Sequence, residues 1–224
     1  MTAHISSNFE KALNKIRDDV IMMASLTERS VRNAMTGLLN RNTDLCLRVI
    51  ADDEEIDILE KSVDKDGIGI MLRFQPVASD LRQVISAMKI SSNLERVGDQ
   101  AVKIAKRARK LNALPEIAEI QLLVPMYADA LALYSDSVRA FIDGDVDLAV
   151  SVKSRDKALD QLDIDISRRV TDQMAKNPAR ITDYLNLIFI ARHLERVGDH
   201  AKNIAEDAVY AAAAEDIRHV KIGA

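Results

Sequence analysis

Tryptophan is absent from these 224 residues, all aromatic side chains together make up 4%, and there are only seven glycines and four prolines. Strands favour aromatic and β-branched residues, and turn-rich β folds need glycine and proline, so a β architecture is excluded. One cysteine, Cys46, leaves no partner for an internal disulfide and no Cys-rich zinc site. It stands among Leu45, Leu47 and Val49, which reads as a packed thiol rather than a nucleophile. A charged start followed by an apolar leader stretch is missing, and no segment approaches ~18 uninterrupted apolar residues. A soluble, cytoplasmic protein is expected. An excess of basic charge is also missing: 31 Lys and Arg against 35 Asp and Glu give a formal charge of −4. Nucleic-acid binding needs clustered cations to neutralise phosphates, so a polyanion binder is not expected. The basic run Lys103–Lys110 reads instead as cations offsetting the dipole at the end of a helix.

What is present is helical periodicity and a repeat. Phe9, Leu13, Ile16, Val20 and Met23 recur at alternating three- and four-residue steps, the mark of one apolar helix face. This first helix ends at the turn-forming Asn40–Thr43. The sequence predicts a second helix from about Asp44 to Phe74 and a third from about Pro76 to Ala113. Pro76, Pro115 and Pro178 are placed in first helical turns, where a missing amide is tolerated. Pro125 falls at the start of a fourth helix, the stretch Pro115–Pro125 reads as a linker, and Asp143-Gly144-Asp145 separates helices four and five.

The segment LERVGDQAVKIA, residues 94–105, returns as LERVGDHAKNIA, residues 194–205. Nine of twelve positions match at an offset of 100 residues, which chance does not produce. The acidic stretch Asp53–Glu60 corresponds to Asp156–Asp163, and Gln75-Pro76 to Asn177-Pro178. The expected fold is all-α: two tandem antiparallel three-helix bundles, residues 1–113 and 114–224, related by an internal repeat.

Glu95 and Asp99 are four residues apart, so a helix presents them on one face, and Asp53 and Asp57 share that spacing on the preceding helix. The second half offers Asp156, Asp160, Glu195 and Asp199. Four neighbouring carboxylates repel one another unless a cation lies between them. An all-oxygen set suits magnesium, calcium, manganese or iron more than zinc. The competing reading is a solvated acidic face paired with Arg96 or Arg196. Gly98 and Gly198 weigh against it, because a helix interior disfavours glycine by ~1 kcal/mol relative to alanine unless a neighbour approaches closely. His193 and His200 read as partly packed rather than ligating, since the first half has Asn93 and Gln100 there. Asn203, one turn after Asp199, has Lys103 as its counterpart, so with His200 it leaves room for two unequal sites.

The doubled LERVGD-x-A-x-x-IA motif, its upstream acidic stretches and the two three-helix units resemble the PhoU family of phosphate transport accessory proteins, over essentially the whole chain. Asp80-Leu-Arg82 and the segment His200–Glu206 are also similar to the family. The resemblance implies a negative regulator of phosphate uptake and of the phosphate-starvation response. It implies contact with the ATPase subunit of the phosphate importer and with a phosphate-sensing histidine kinase, membrane association only through those partners, and a homodimer. It further implies metal clusters, iron among them, on the acidic motifs: Asp53, Asp57, Glu95 and Asp99 for one site, Asp156, Asp160, Glu195 and Asp199 for the other. Iron, manganese, magnesium and zinc are the cations considered. A di-iron carboxylate enzyme is the alternative, but its bundle core needs Glu-x-x-His pairs and neither motif supplies one. Asp216-Ile-Arg-His219 offers an isolated acidic version. A metal-free helical scaffold is the third reading.

Overall fold

The computed structural model describes residues 2–218, so His219 of the isolated Asp216–His219 element lies outside the described residues. Among the described residues seven α-helices follow one another: α1 (Thr2–Leu39), α2 (Thr43–Ala51), α3 (Asp53–Phe74), α4 (Ala78–Asn112), α5 (Leu123–Asp143), α6 (Val146–Lys176) and α7 (Ile181–Ala213). No strand occurs among the described residues, and no helix there is long and apolar enough to cross a membrane.

Local chemistry explains the boundaries, including those that differ from expectation. Residues 44–74 form two helices rather than one, parted at Asp52. The break puts Asp53, Glu54 and Glu55 into the first turn of α3, where a helix dipole favours negative charge. Gln75 ends α3 in the left-handed region at φ 48°, and α4 begins only at Ala78, leaving Pro76 in the connection rather than in a helical turn. A residue before proline is driven out of the right-handed helical region, which accounts for the stop. Pro115 likewise lies outside any helix, whereas Pro178 opens the 3₁₀ turn Pro178–Arg180 and Pro125 sits in the first turn of α5. The linker contains a 3₁₀ turn, Ala118–Leu122, that leads directly into α5. Asn42 and Asp145 accept hydrogen bonds from the Leu45 and Leu148 amides and so cap α2 and α6. Gly144 stands at φ 66°, supplying the left-handed residue that closes α5.

α1, α3 and α4 form one three-helix bundle, with α2 against α1 and α4; α5, α6 and α7 form the other. The bundles join along α4 and α7. Cys46 is buried, as is the apolar face of α1 at Ile16, Val20 and Met23, and one continuous core runs through both bundles. α1 and α5 also meet, where the buried Tyr134 hydroxyl donates to the Ala24 carbonyl at 2.8 Å.

α4 and α7 run antiparallel, as the partners along their seam show. Asn93 meets His200 at 3.2 Å, Gln100 meets His193 at 3.0 Å and Arg107 donates to Asn186 at 3.0 Å. Replacing Asn93 and His200 by their counterparts 100 residues away yields His193 and Gln100, which is the other bonded pair. The repeat is therefore a pseudo-twofold in space, with its axis crossing the seam beside Arg96 and Arg196.

Candidate metal centres

Glycine in the LERVGD motif answers to close helix approach. A methyl at position 98 would lie 3.1 Å from Ile56 Cδ1 and 3.4 Å from Asp53 Oδ1, and one at 198 would overlap Leu159 Cδ2. These contacts are where α3 crosses α4 and where α6 crosses α7. Without a Cβ, the acidic helix of each bundle comes in low over the motif helix and carries its carboxylates toward those of the motif.

In the first bundle this brings all four predicted residues into one electrostatic group. Asp53 is held above the ordinary aspartate range by burial and then by the charges of Asp57 and Asp99. Glu95 is raised by burial and then by Asp99, Glu60 and Asp57. The second bundle repeats the pattern. Asp160 is raised by burial, Asp156 and Asp199, and Glu195 by burial and Asp199, with Asp163 and Asp160 adding.

Two further carboxylates belong to these groups. Glu60 and Asp163 stand one turn beyond Asp57 and Asp160 at matching places in the repeat. Glu60 is itself raised, by burial and then by Asp64. The signal was in the sequence, because the aligned stretches end on these two residues; the four-residue spacing drew attention to the others.

The fit of a cation rests on the second group. Asp163 Oδ1 and Glu195 Oε2 are buried carboxylate oxygens without a hydrogen-bond partner. Such oxygens are costly unless positive charge reaches them. The donors are all oxygen, which matches hard cations. As placed, however, no three His, Cys, Asp or Glu side chains among the described residues converge into a ready-made metal-binding group. Cations of the chain itself partly occupy that space. Lys103 Nζ lies 2.8 Å from Asp99. Lys202 bridges the buried Asp156 and the part-exposed Asp199, and Arg192 reaches Asp163 at 3.1 Å and Glu195 Oε2 at 3.8 Å.

The sites are unequal, but not through His200 and Asn203. Both of those bond Asn93 across the α4–α7 seam, and His193 is buried against Gln100. The inequality comes from Lys202 and Arg192, whose first-bundle counterparts are Val102 and Ser92. The competing pairing of the motif carboxylates with Arg96 or Arg196 does not occur among the described residues: no ion pair joins them.

Comparison with known proteins agrees with this architecture. A family model described as the PhoU domain matches residues 20–108 and 123–208, once in each bundle. A phosphate-specific transport system accessory protein PhoU homolog of Pseudomonas putida is 37% identical over 98% of this chain and 86% of its own length. The phosphate-specific transport system accessory protein PhoU of Escherichia coli (strain K12) is 33% identical over 98% of this chain and 91% of its own. The crystal structure of PhoU from Pseudomonas aeruginosa superposes with a TM-score of 0.90 at 34% identity, covering 92% of this chain and all of that one.

Proposed function

The chain belongs to the PhoU family, and we propose from this that it restrains phosphate uptake and represses the phosphate-starvation response as a metal-binding adaptor. Its relatives are accessory proteins of phosphate transport. The partners we propose are the ATPase subunit of the phosphate importer and a phosphate-sensing histidine kinase, with the chain acting in the cytoplasm as a homodimer.

The observation that carries the metal-binding part is the pair of buried oxygens on Asp163 and Glu195 that no hydrogen bond satisfies and that Arg192 alone approaches, within a carboxylate group that the pseudo-twofold repeats. Asp53, Asp57, Glu95 and Asp99, with Glu60, would hold one cation set. Asp156, Asp160, Glu195 and Asp199, with Asp163, would hold the other. A bound cation supplies positive charge that offsets carboxylate repulsion and keeps the groups ionised. The chain's own part is to press the acidic helices onto the motif helices at Gly98 and Gly198, so that the carboxylates share one site. Lys103 and Lys202 neutralise part of that charge in the protein itself.

Three measurements test the reading. Affinity capture from phosphate-replete cells should retain the importer ATPase or the sensor kinase, and deletion should switch on starvation genes in plentiful phosphate. Normally repressed starvation genes in the deletion strain would sink the regulatory part. Glu95→Gln with Asp99→Asn should lower metal content by the share of the first site, and Glu195→Gln with Asp199→Asn by that of the second, with helicity unchanged. Full metal stoichiometry in the quadruple variant after chelation and reloading would rule these carboxylates out as ligands.

A further inference from the structure

Between the two acidic groups, on the α4–α7 seam, lies an open groove of about 640 Å³ whose arginines the metal reading does not use. Arg96 and Arg196 enter it from opposite helices, beside Glu95, Asp99, Asp199, Lys103 and Lys202 and the uncharged Gln100 and Asn203. Both arginines are exposed, and among the described residues neither guanidinium makes a hydrogen bond or an ion pair. The carboxylates bordering the groove are engaged elsewhere. Asp99 is held by Lys103 at 2.8 Å, Asp199 by Lys202 at 3.2 Å, and Glu95 lies among Asp99, Glu60 and Asp57, whose repulsion outweighs the attraction of Arg96.

The internal repeat supplies a second, independent observation. α4 carries eight basic residues, and seven have lost their charge or reversed it at the matching place in α7. Arg82, Lys89, Lys103, Lys106, Arg107, Arg109 and Lys110 correspond to Thr182, Phe189, Asn203, Glu206, Asp207, Val209 and Tyr210. Arg96 alone is matched by arginine, at Arg196. These are also the two that enter the one groove from opposite helices. A role in helix solubility would not single out that one position. A shared ligand on the axis would.

We propose that Arg96 and Arg196 form a binding site for a tetrahedral oxyanion of the phosphate and sulfate class at the centre of the α4–α7 seam. Each guanidinium presents a planar fork of donors that engages two oxygens at once. A carboxylate has only two oxygens and satisfies one fork. A tetrahedral oxyanion has four and satisfies both, two oxygens to each side of the axis. Its double charge offsets the two guanidiniums, which no carboxylate of the groove hydrogen-bonds. Lys103 and Lys202, which also line the groove, offset Asp99 and Asp199 there, and Gln100 and Asn203 add neutral polar groups.

The test uses the full chain, stripped of metal by chelation so that the outcome does not depend on whether the acidic groups hold cations. Inorganic phosphate, sulfate and acetate are titrated calorimetrically at one ionic strength, because exposed charges are screened by salt. Phosphate, sulfate or both should bind, with acetate at least about tenfold weaker. Arg96→Gln and Arg196→Gln should each weaken binding about tenfold or more, and the double variant should abolish it. Arg96→Lys keeps the charge but not the fork and should fall between wild type and Arg96→Gln. Lys110→Gln, an exposed α4 cation outside the groove, should bind as wild type does. Circular dichroism checks that each variant is folded; both arginines are exposed, so substitution leaves the core intact. Absence of binding by all three anions, acetate binding as tightly as phosphate, or binding unchanged in the double variant would overturn the proposal.

Discussion

Replacing Gly198 with alanine sets two effects of similar size against each other, and the structure decides the sign. Alanine in a helix interior is favoured over glycine by about 1 kcal/mol. The added methyl at 198 overlaps Leu159 Cδ2, and Leu159 is only 1% exposed, so it has no free space to retreat into. Overpacking a filled core costs about 1–3 kcal/mol. The net expectation for Gly198→Ala is a loss of about 0–2 kcal/mol. At Gly98 the nearest atom, Ile56 Cδ1, is 3.1 Å away, which calls for a shift of a few tenths of an ångström. The helix term then nearly balances or exceeds the cost, so Gly98→Ala should lie within about 0.5 kcal/mol of wild type or above it. Urea titration of metal-stripped protein measures both, and for a chain of this size each kcal/mol moves the melting temperature by about 2–4 °C. The decisive comparison uses Leu159→Ala, which removes the overlapping atom. On that background Gly198→Ala should become stabilising by about 1 kcal/mol, a reversal of sign that only direct contact produces. If Gly198→Ala stabilises wild type as much as it stabilises the Leu159→Ala protein, close approach of α6 to α7 is not why glycine stands there.

Two other outcomes follow from the charges near the sites. Lys202→Gln removes the ammonium that bridges Asp156 and Asp199 and leaves the buried Asp156 uncompensated. Stability should fall by up to about 3 kcal/mol, and added Mg²⁺ or Mn²⁺ should restore more of it than the same cation adds to wild type; no greater gain from the metal would refute the competition between ammonium and cation. His193 has its pKa lowered from 6.5 to about 4 by burial and then by Arg196, Arg107 and Lys103. A depressed folded-state pKa gives stability that is fully present above pH 6.5 and is lost as pH falls toward about 4, a change of roughly 3 kcal/mol. His193→Asn, which installs the residue type of its repeat counterpart, should remove that loss. The raised carboxylates titrate in the opposite sense in both proteins, so the wild-type-minus-variant stability difference should shrink from neutral to acid pH; a flat difference would refute it.

The sequence by itself determined the helical class, the two bundles and their repeat, because a 3.6-residue apolar period and a 12-residue segment recurring after 100 positions survive without any knowledge of packing. It also determined which helix faces are acidic, since a four-residue spacing puts Glu95 above Asp99 and Asp53 above Asp57 wherever the helices go. It misplaced the ends of helices, at Asp52 and Pro76, because a one-residue break or a two-residue delay barely alters a periodic pattern. What tertiary structure alone decided is how side chains far apart in sequence divide the charge. Lys202 bridging to Asp156, Arg192 reaching Asp163, His193 meeting Gln100 and Asn93 meeting His200 depend on the crossing and register of neighbouring helices. The entry of Arg96 and Arg196 into one groove depends on α4 and α7 running antiparallel about a pseudo-twofold. Register and crossing are set by the whole packed interface, with Gly98 and Gly198 admitting α3 and α6, and no local pattern along the chain encodes them.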